Sequence, residues 1–390
     1  MYKIMKLNKI DAEGLSKFPL DQYEIGTEIV NPDAILLRSF KMHDMKLPDS
    51  LLAVGRAGAG VNNIPLETCA EAGVVVFNTP GANANAVKEL TIAGLFISSR
   101  DIVGGINFAS TVKGKGSEVP ALIEQNKANF GGCEIKGKTL AVVGLGKIGV
   151  MVANSALELG MKVVGFDPFI SVESAWGLSK DVLRAGGMDE LVAKADYISL
   201  HTPLTDNTRG MLNQEKFKRM KKGVRVLNFS RGGIVNNDDL AKAIKDKIVA
   251  KYVTDFPDDE LLHMENVIAI PHLGASTEEA EVNCALMVVN QVREFIEKGN
   301  IKNSVNYPNC VLEPTSDYRL LVMNKNIPNM VGQISTKLAQ GNINIVEMIN
   351  KSKGDYAYNI IDVSDQPDED LVKSMYEIEG VVKVRILSFK

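Results

Sequence analysis

Thr139-Leu140-Ala141-Val142-Val143-Gly144-Leu145-Gly146-Lys147-Ile148-Gly149, answered further along by Lys162-Val163-Val164-Gly165-Phe166-Asp167, decides the fold of this chain. An apolar strand, three glycines at G-x-G-x-x-G spacing, a helical stretch, a second apolar strand and a carboxylate make a βαβ unit of the dinucleotide-binding type. Gly144 permits the tight turn out of the strand, Gly146 leaves room for a pyrophosphate, and Gly149 lets the helix pack closely on the sheet. Asp167 suits the ribose hydroxyls of the adenosine half. A 2′-phosphate would meet it as a like charge, and no Arg follows immediately to accept one, so NAD is favoured over NADP.

The rest of the chain bounds what such a unit belongs to. With 390 residues, 45% hydrophobic and 24% charged, the chain is long enough for two or three globular domains. A net charge of −4 and scattered lysines give no footprint for nucleic acid. No stretch has the character of a signal peptide or a membrane span, so a cytoplasmic protein is expected. Cys69, Cys133, Cys284 and Cys310 lie far apart without metal-ligand spacing, and no metal site is expected.

Short apolar strands alternate with helices before and after the dinucleotide loop, which predicts an α/β protein of two lobes, Rossmann-like or flavodoxin-like, each with a doubly wound parallel sheet. The first lobe is expected over residues 1–90. It is discontinuous, completed by about 290–312 after a long helix opened by Ser276-Thr277-Glu278-Glu279. The dinucleotide lobe then covers 91–289. Past an Asn-rich segment interrupted by Pro308 and Pro314, residues 318–390 follow the βαββαβ order of a ferredoxin-like domain.

Three segments carry reactive residue types at predicted strand ends: Asn228-Phe229-Ser230-Arg231-Gly232-Gly233, Asp255-Phe256-Pro257-Asp258-Asp259-Glu260 and Pro271-His272-Leu273-Gly274-Ala275. The carboxyl ends of strands in a doubly wound sheet converge on the ligand crevice. Oxidising a hydroxy acid needs a base for the hydroxyl proton, and His272 suits it. Glu260, or else its neighbour Asp259, is placed to orient the imidazole. Arg231 is suited to a substrate carboxylate. Of the other histidines only His201, at the strand end Leu200-His201-Thr202, competes with His272, and Thr202 is expected beside the nicotinamide. In Val54-Gly55-Arg56-Ala57-Gly58-Ala59-Gly60 the third glycine of a dinucleotide loop is missing, so Arg56, Ala57 and Gly58 are read as a loop for a small anion.

Together with Asn78-Thr79-Pro80-Gly81, these segments resemble the D-2-hydroxyacid dehydrogenases over nearly the whole chain. The resemblance places the catalytic Arg, Glu and His on Arg231, Glu260 and His272. It places cofactor contacts on Gly144, Gly146, Lys147, Ile148, Gly149, Asp167, Thr202, Phe229, Asp255, Gly274 and Ala275, and substrate contacts on Arg38, Arg56, Ala57 and Gly58. It implies NAD-dependent oxidation of 3-phospho-D-glycerate to 3-phosphohydroxypyruvate at the start of serine synthesis. The alternatives are a glycerate- or glyoxylate-type enzyme and an NADH-sensing binding scaffold. The C-terminal segment is similar to an ACT module, which implies an L-serine effector bound through Asn326 and Asn344, and a homo-oligomer. Asn324 stands where that module often has His, and Asn329 where it usually has Gly.

Overall fold

The computed structural model describes all 390 residues, in two compact units: Met1–Ala82 with Glu278–Lys390, and Asn83–Thr277. In the first, β1 (Tyr2–Lys6), β2 (Tyr23–Gly26), β3 (Ala34–Leu37), β4 (Ala53–Arg56) and β5 (Val75–Phe77) form a parallel sheet in the order β2-β1-β3-β4-β5. That is the flavodoxin-like order anticipated from the βα rhythm. Strand β3 is buried along its whole length, as a strand covered on both faces must be.

In the second unit, β6 (Thr139–Val143), β7 (Lys162–Phe166), β8 (Leu183–Arg184), β9 (Tyr197–Leu200), β10 (Val224–Asn228), β11 (Val249–Thr254) and β12 (Val267–Ala269) form a parallel sheet. Its order, β12-β11-β10-β9-β6-β7-β8, reverses direction between β6 and β9. That reversal is the topological switch point where open α/β sheets bind ligands. Helices Ile102–Thr111 and Val119–Asn126, unassigned from the sequence, carry no fully buried residue.

The lobe boundaries expected near 90 and 289 fall at Ala82/Asn83 and Thr277/Glu278. The reason is packing: helix Glu278–Lys298 lies against the first sheet from its first turns, with Ala285, Val288, Val292 and Ile296 in one core with Ile4, Leu36 and Phe77. It comes so near β4 that a methyl group on Gly55 would stand 2.6 Å from Val288 Cγ2.

The C-terminal strands β13 (Tyr318–Lys325), β14 (Ile345–Lys353), β15 (Tyr356–Val363) and β16 (Val381–Ser388) pair antiparallel in the order β14-β15-β13-β16, the ferredoxin-like arrangement. Alternation sorts the two faces of this sheet. Leu320, Val322, Ile361 and Val363 pack under helices Met330–Gln340 and Glu369–Tyr376. Leu321, Met323, Tyr358 and Ile360 join the core of the first sheet. The turn into the first of these helices needs a left-handed residue, and Asn329 supplies it at φ 64°. Asn tolerates that conformation better than other side chains, which is why it can stand in for Gly there.

Polar groups tie the module to the long helix. Arg319, fully buried, holds Asp362 through Nε (2.6 Å) and Nη2 (3.0 Å), and donates through Nη1 to the Lys298 and Leu312 carbonyls. Arg385 donates to the Ile296 carbonyl and Tyr358 to that of Gly299. The last turn of a helix leaves carbonyls unpaired at the negative end of its dipole, and these donors satisfy them.

Candidate functional site

The site is built on the carboxyl edge of the second sheet. After β6 the chain turns at Gly144, with φ 88°, and enters helix Lys147–Glu158 through Gly146. Gly146 caps the helix without a side-chain hydrogen bond, and a methyl group there would touch nothing. A helix N-terminus with free N–H groups and open space above it favours a phosphate group. Asp167, past the end of β7, accepts from Leu145 N and Phe169 N at 2.8 Å each. Each carboxylate oxygen keeps a lone pair for a ribose hydroxyl. Lys147 is exposed and Ile148 half-buried on the same turn.

At the next strand end, His201 Nε2 and Ser199 Oγ lie 2.8 Å apart, and burial lowers the His201 pKa to about 4. This imidazole is neutral at working pH and is a weaker base than a free imidazole. Thr202 packs beside Gly144, and its Oγ1 is buried without a partner.

After β10, Asn228 organises the turn. Its Oδ1 accepts from Ser230 N, Ser230 Oγ and Arg231 N, while its Nδ2 donates to the Arg231 carbonyl and to Tyr252 Oη. Arg231 is exposed, its Nη1 resting on the Ser230 carbonyl at 2.6 Å. Phe229, expected among the cofactor contacts, turns its ring into the core against Gly94 and Leu227 instead. An apolar ring gains more from that cavity than from a polar crevice.

Asp255, after β11, is 1% exposed; Oδ2 accepts from Gly274 N at 3.2 Å and Oδ1 has no partner. Burial raises its pKa, against the opposing charges of His272 and Arg231 and the Gly274 N–H. One carboxylate thus brings the three strand-end segments into a single electrostatic site. Gly274 is buried beside it, and Ala275 half-buried.

His272 is exposed, its ring 4.4 Å from that of Phe256 at 48°. The expected pairing with Glu260 or Asp259 is not formed in this structure. Glu260 Oε2 accepts from Asn237 Nδ2 at 3.1 Å, and the same Nδ2 reaches Asp258 Oδ2 at 2.8 Å. Asp259 turns its Oδ1 to within 3.8 Å of His263 Nδ1, which also lies 2.7 Å from the Asp259 carbonyl. Asn228, Asn237 and Phe256 are the site residues that sequence reasoning passed over. Asn228 stood in a quoted strand-end segment, whereas nothing local marks Asn237.

The residues present fit a dinucleotide. Thr202 Oγ1 and Asp255 Oδ1 are orphaned buried polar atoms at the crevice edge, where a carboxamide offers both a donor and an acceptor. The glycine turn supplies the cradle for the phosphates.

In the first unit, Arg38 and Arg56 stand at the ends of the paired strands β3 and β4. Arg56 Nε donates to the Arg38 carbonyl at 3.1 Å, and its guanidinium lies across Gly58. Ala57 N is already committed to the Leu37 carbonyl and Gly58 N to that of Arg56. Arg38, expected as a substrate contact, has its Nη1 paired with Glu281 Oε1.

In the C-terminal module, Asn326 follows β13 and donates to the Gly354 carbonyl, while Asn344 precedes β14 beside Ser364. The strand registers put them at opposite ends of the sheet, roughly 30 Å apart. Within one chain they cannot share one small ligand.

No helix is long and apolar enough to cross a membrane. The family described as D-isomer specific 2-hydroxyacid dehydrogenase, NAD binding domain, matches residues 107–274. The chain is 33% identical over 347 residues, 87% of its length, to a D-3-phosphoglycerate dehydrogenase of Methanocaldococcus jannaschii, of which it spans 62%. It is 30% identical over 404 residues to a Schizosaccharomyces pombe protein provisionally named D-3-phosphoglycerate dehydrogenase, covering 93% of this chain and 82% of that one. Among solved structures, NAD⁺-bound 3-phosphoglycerate dehydrogenase of Entamoeba histolytica superposes with a TM-score of 0.60 at 25% identity, over 78% of this chain and 98% of the other. A glyoxylate reductase superposes with a TM-score of 0.62, also at 25% identity and with the same coverage of both chains. With the glycine turn, the Asp167 carboxylate after β7 and Arg231, Asp255 and His272 at strand ends of one sheet, the chain belongs to the D-isomer specific 2-hydroxyacid dehydrogenase family.

Proposed function

We propose that the chain oxidises 3-phospho-D-glycerate to 3-phosphohydroxypyruvate with NAD in the cytoplasm. The observation that carries this is the buried carboxylate of Asp255, hydrogen-bonded to Gly274 N in the His272 loop and favoured by the Arg231 guanidinium and by a protonated His272, at the edge where the glycine turn opens. Bound NAD supplies the hydride acceptor. His272 takes the proton of the C2 hydroxyl, and Arg231 pairs with the substrate carboxylate and polarises the C2 oxygen. Asp255 stabilises the imidazolium as it forms. Glu260 must leave Asn237 to orient the His272 ring. Arg38 and Arg56 hold the phosphate. The names of the relatives support a phosphorylated substrate.

The test is NADH formation with 3-phosphoglycerate and NAD, and NADH consumption with phosphohydroxypyruvate. A preference for glyoxylate or unphosphorylated hydroxypyruvate over the phosphorylated keto acid would favour the second reading, which the likeness to a glyoxylate reductase keeps open.

We further propose that the C-terminal module binds L-serine between two chains of a homo-oligomer, Asn326 from one and Asn344 from its partner, since amides meet both ends of a zwitterion. Calorimetric titration with L-serine tests this. No heat at millimolar serine would leave the module with a structural role only.

A further inference from the structure

Arg38 and Glu281 are 243 residues apart in sequence and face each other across the first unit, Nη1 to Oε1 at 2.5 Å. Both side chains remain accessible, at 36% and 39% exposure, so the pair can open without unfolding anything. Arg38 follows β3, Arg56 ends β4, and the two strands are neighbours, which sets two guanidiniums at the carboxyl edge of the sheet. Into that cationic corner the first turn of helix Glu278–Lys298 delivers one carboxylate. Nothing in the proposed chemistry uses it.

We propose that Glu281 is a tethered counter-anion that occupies Arg38 until the substrate's phosphate displaces it. This rests on the proposed phosphorylated substrate. A carboxylate fixed on the same unit competes at a high effective concentration, of the millimolar order for short tethers. A free monoanion exchanging with it gains no charge and pays for its own immobilisation. A phosphate monoester carries about −1.5 to −2 at pH 7 and three acceptor oxygens, so it can engage Arg38 and Arg56 together. Glu281 thus raises the threshold for every anion and lets the dianion pass. Its release is inexpensive, because a carboxylate in the first turn of a helix is favoured by the dipole even when unpaired.

The experiment is calorimetric titration of inorganic phosphate into the full chain and into Glu281→Gln, Arg38→Gln and the double variant, with KM for 3-phosphoglycerate measured in parallel. Glu281→Gln is expected to bind phosphate about two- to fivefold more tightly, the range of an exposed ion pair, and to lower KM by a similar factor. Adding Glu281→Gln to Arg38→Gln is expected to change phosphate binding little, since the competitor then has nothing to occupy. Unchanged or weaker phosphate binding in Glu281→Gln, with an unaltered melting temperature, overturns the proposal. So does equal tightening with and without Arg38. Glu281→Ala repeats the test should the Gln variant fold poorly. If phosphate behaves as expected but 3-phosphoglycerate is not oxidised, the functional reading fails and the anion gate stands.

Discussion

Gly149 stands so close to the carbonyl of Gly144 that a methyl group on its α-carbon would lie 1.9 Å from that oxygen. The contact ties the first turn of the nucleotide helix to the strand-end turn, both backbone, so neither can yield cheaply. Gly149→Ala is therefore expected to cost about 1–3 kcal/mol of stability and to weaken NADH binding more than tenfold. Chemical denaturation and NADH fluorescence titration measure the two effects.

Arg231 and His272 lie outside the glycine turn. Arg231→Gln and His272→Asn should each lower kcat/KM by about a hundred- to ten-thousand-fold while leaving NADH affinity nearly unchanged. His201, held neutral down to about pH 4, should contribute no limb to the pH–rate profile near neutrality. A neutral-pH limb that survives in His272→Asn and vanishes in His201→Asn would reverse the assignment.

Asp167 is anchored by two backbone N–H groups and presents its carboxylate where the ribose is expected. NAD should be strongly preferred over NADP, and Asp167→Ser should narrow the ratio of kcat/KM values by removing the charge that repels a 2′-phosphate. Equal use of both cofactors by the unaltered chain would contradict this reading of the carboxylate.

Arg319 and Asp362 are both fully buried. Burial pushes the Asp362 pKa up, but hydrogen bonds from Arg319 and from the Thr315 N–H and hydroxyl outweigh it, and the net shift is downward. A carboxyl whose pKa is lower folded than unfolded stabilises the fold above its unfolded value, near pH 3.9, and loses that contribution as pH falls below it. Arg319→Met, which leaves Asp362 buried and uncompensated, should cost about 3–5 kcal/mol at pH 7. Denaturant melts at pH 7 and in acid check both; an Asp362→Asn variant that kept the full acid sensitivity would discount this pair as its source.

Much of the architecture was written locally. The dinucleotide turn was legible because strand, glycines, helix and acid are contiguous, each dictated by backbone geometry within a few residues. The ferredoxin-like order of the C-terminal strands was legible for the same reason, since period-2 and period-3.6 patterns alternate there in short order. Arg231 and His272 could be gathered in advance because a parallel sheet sends all its carboxyl ends to one edge; Asp255 was read there as a cofactor contact, with the part of the acid given to Glu260.

What the local pattern could not settle depends on who meets whom across the chain. Phe229 looked like a site residue by its position and became core because Gly94 leaves a hollow for its ring. Glu260 took Asn237 as its partner rather than His272, a choice between hydrogen bonds that only three-dimensional distances decide. Asn326 and Asn344 share a module and stand at opposite ends of its sheet, because antiparallel pairing carries them apart. Sequence by itself determined most of the strands and helices and the chemical types at their ends. Tertiary packing decided the lobe boundary at Thr277/Glu278 and the pairing of Arg38 with Glu281, because both follow from seating one long helix against a sheet formed hundreds of residues earlier.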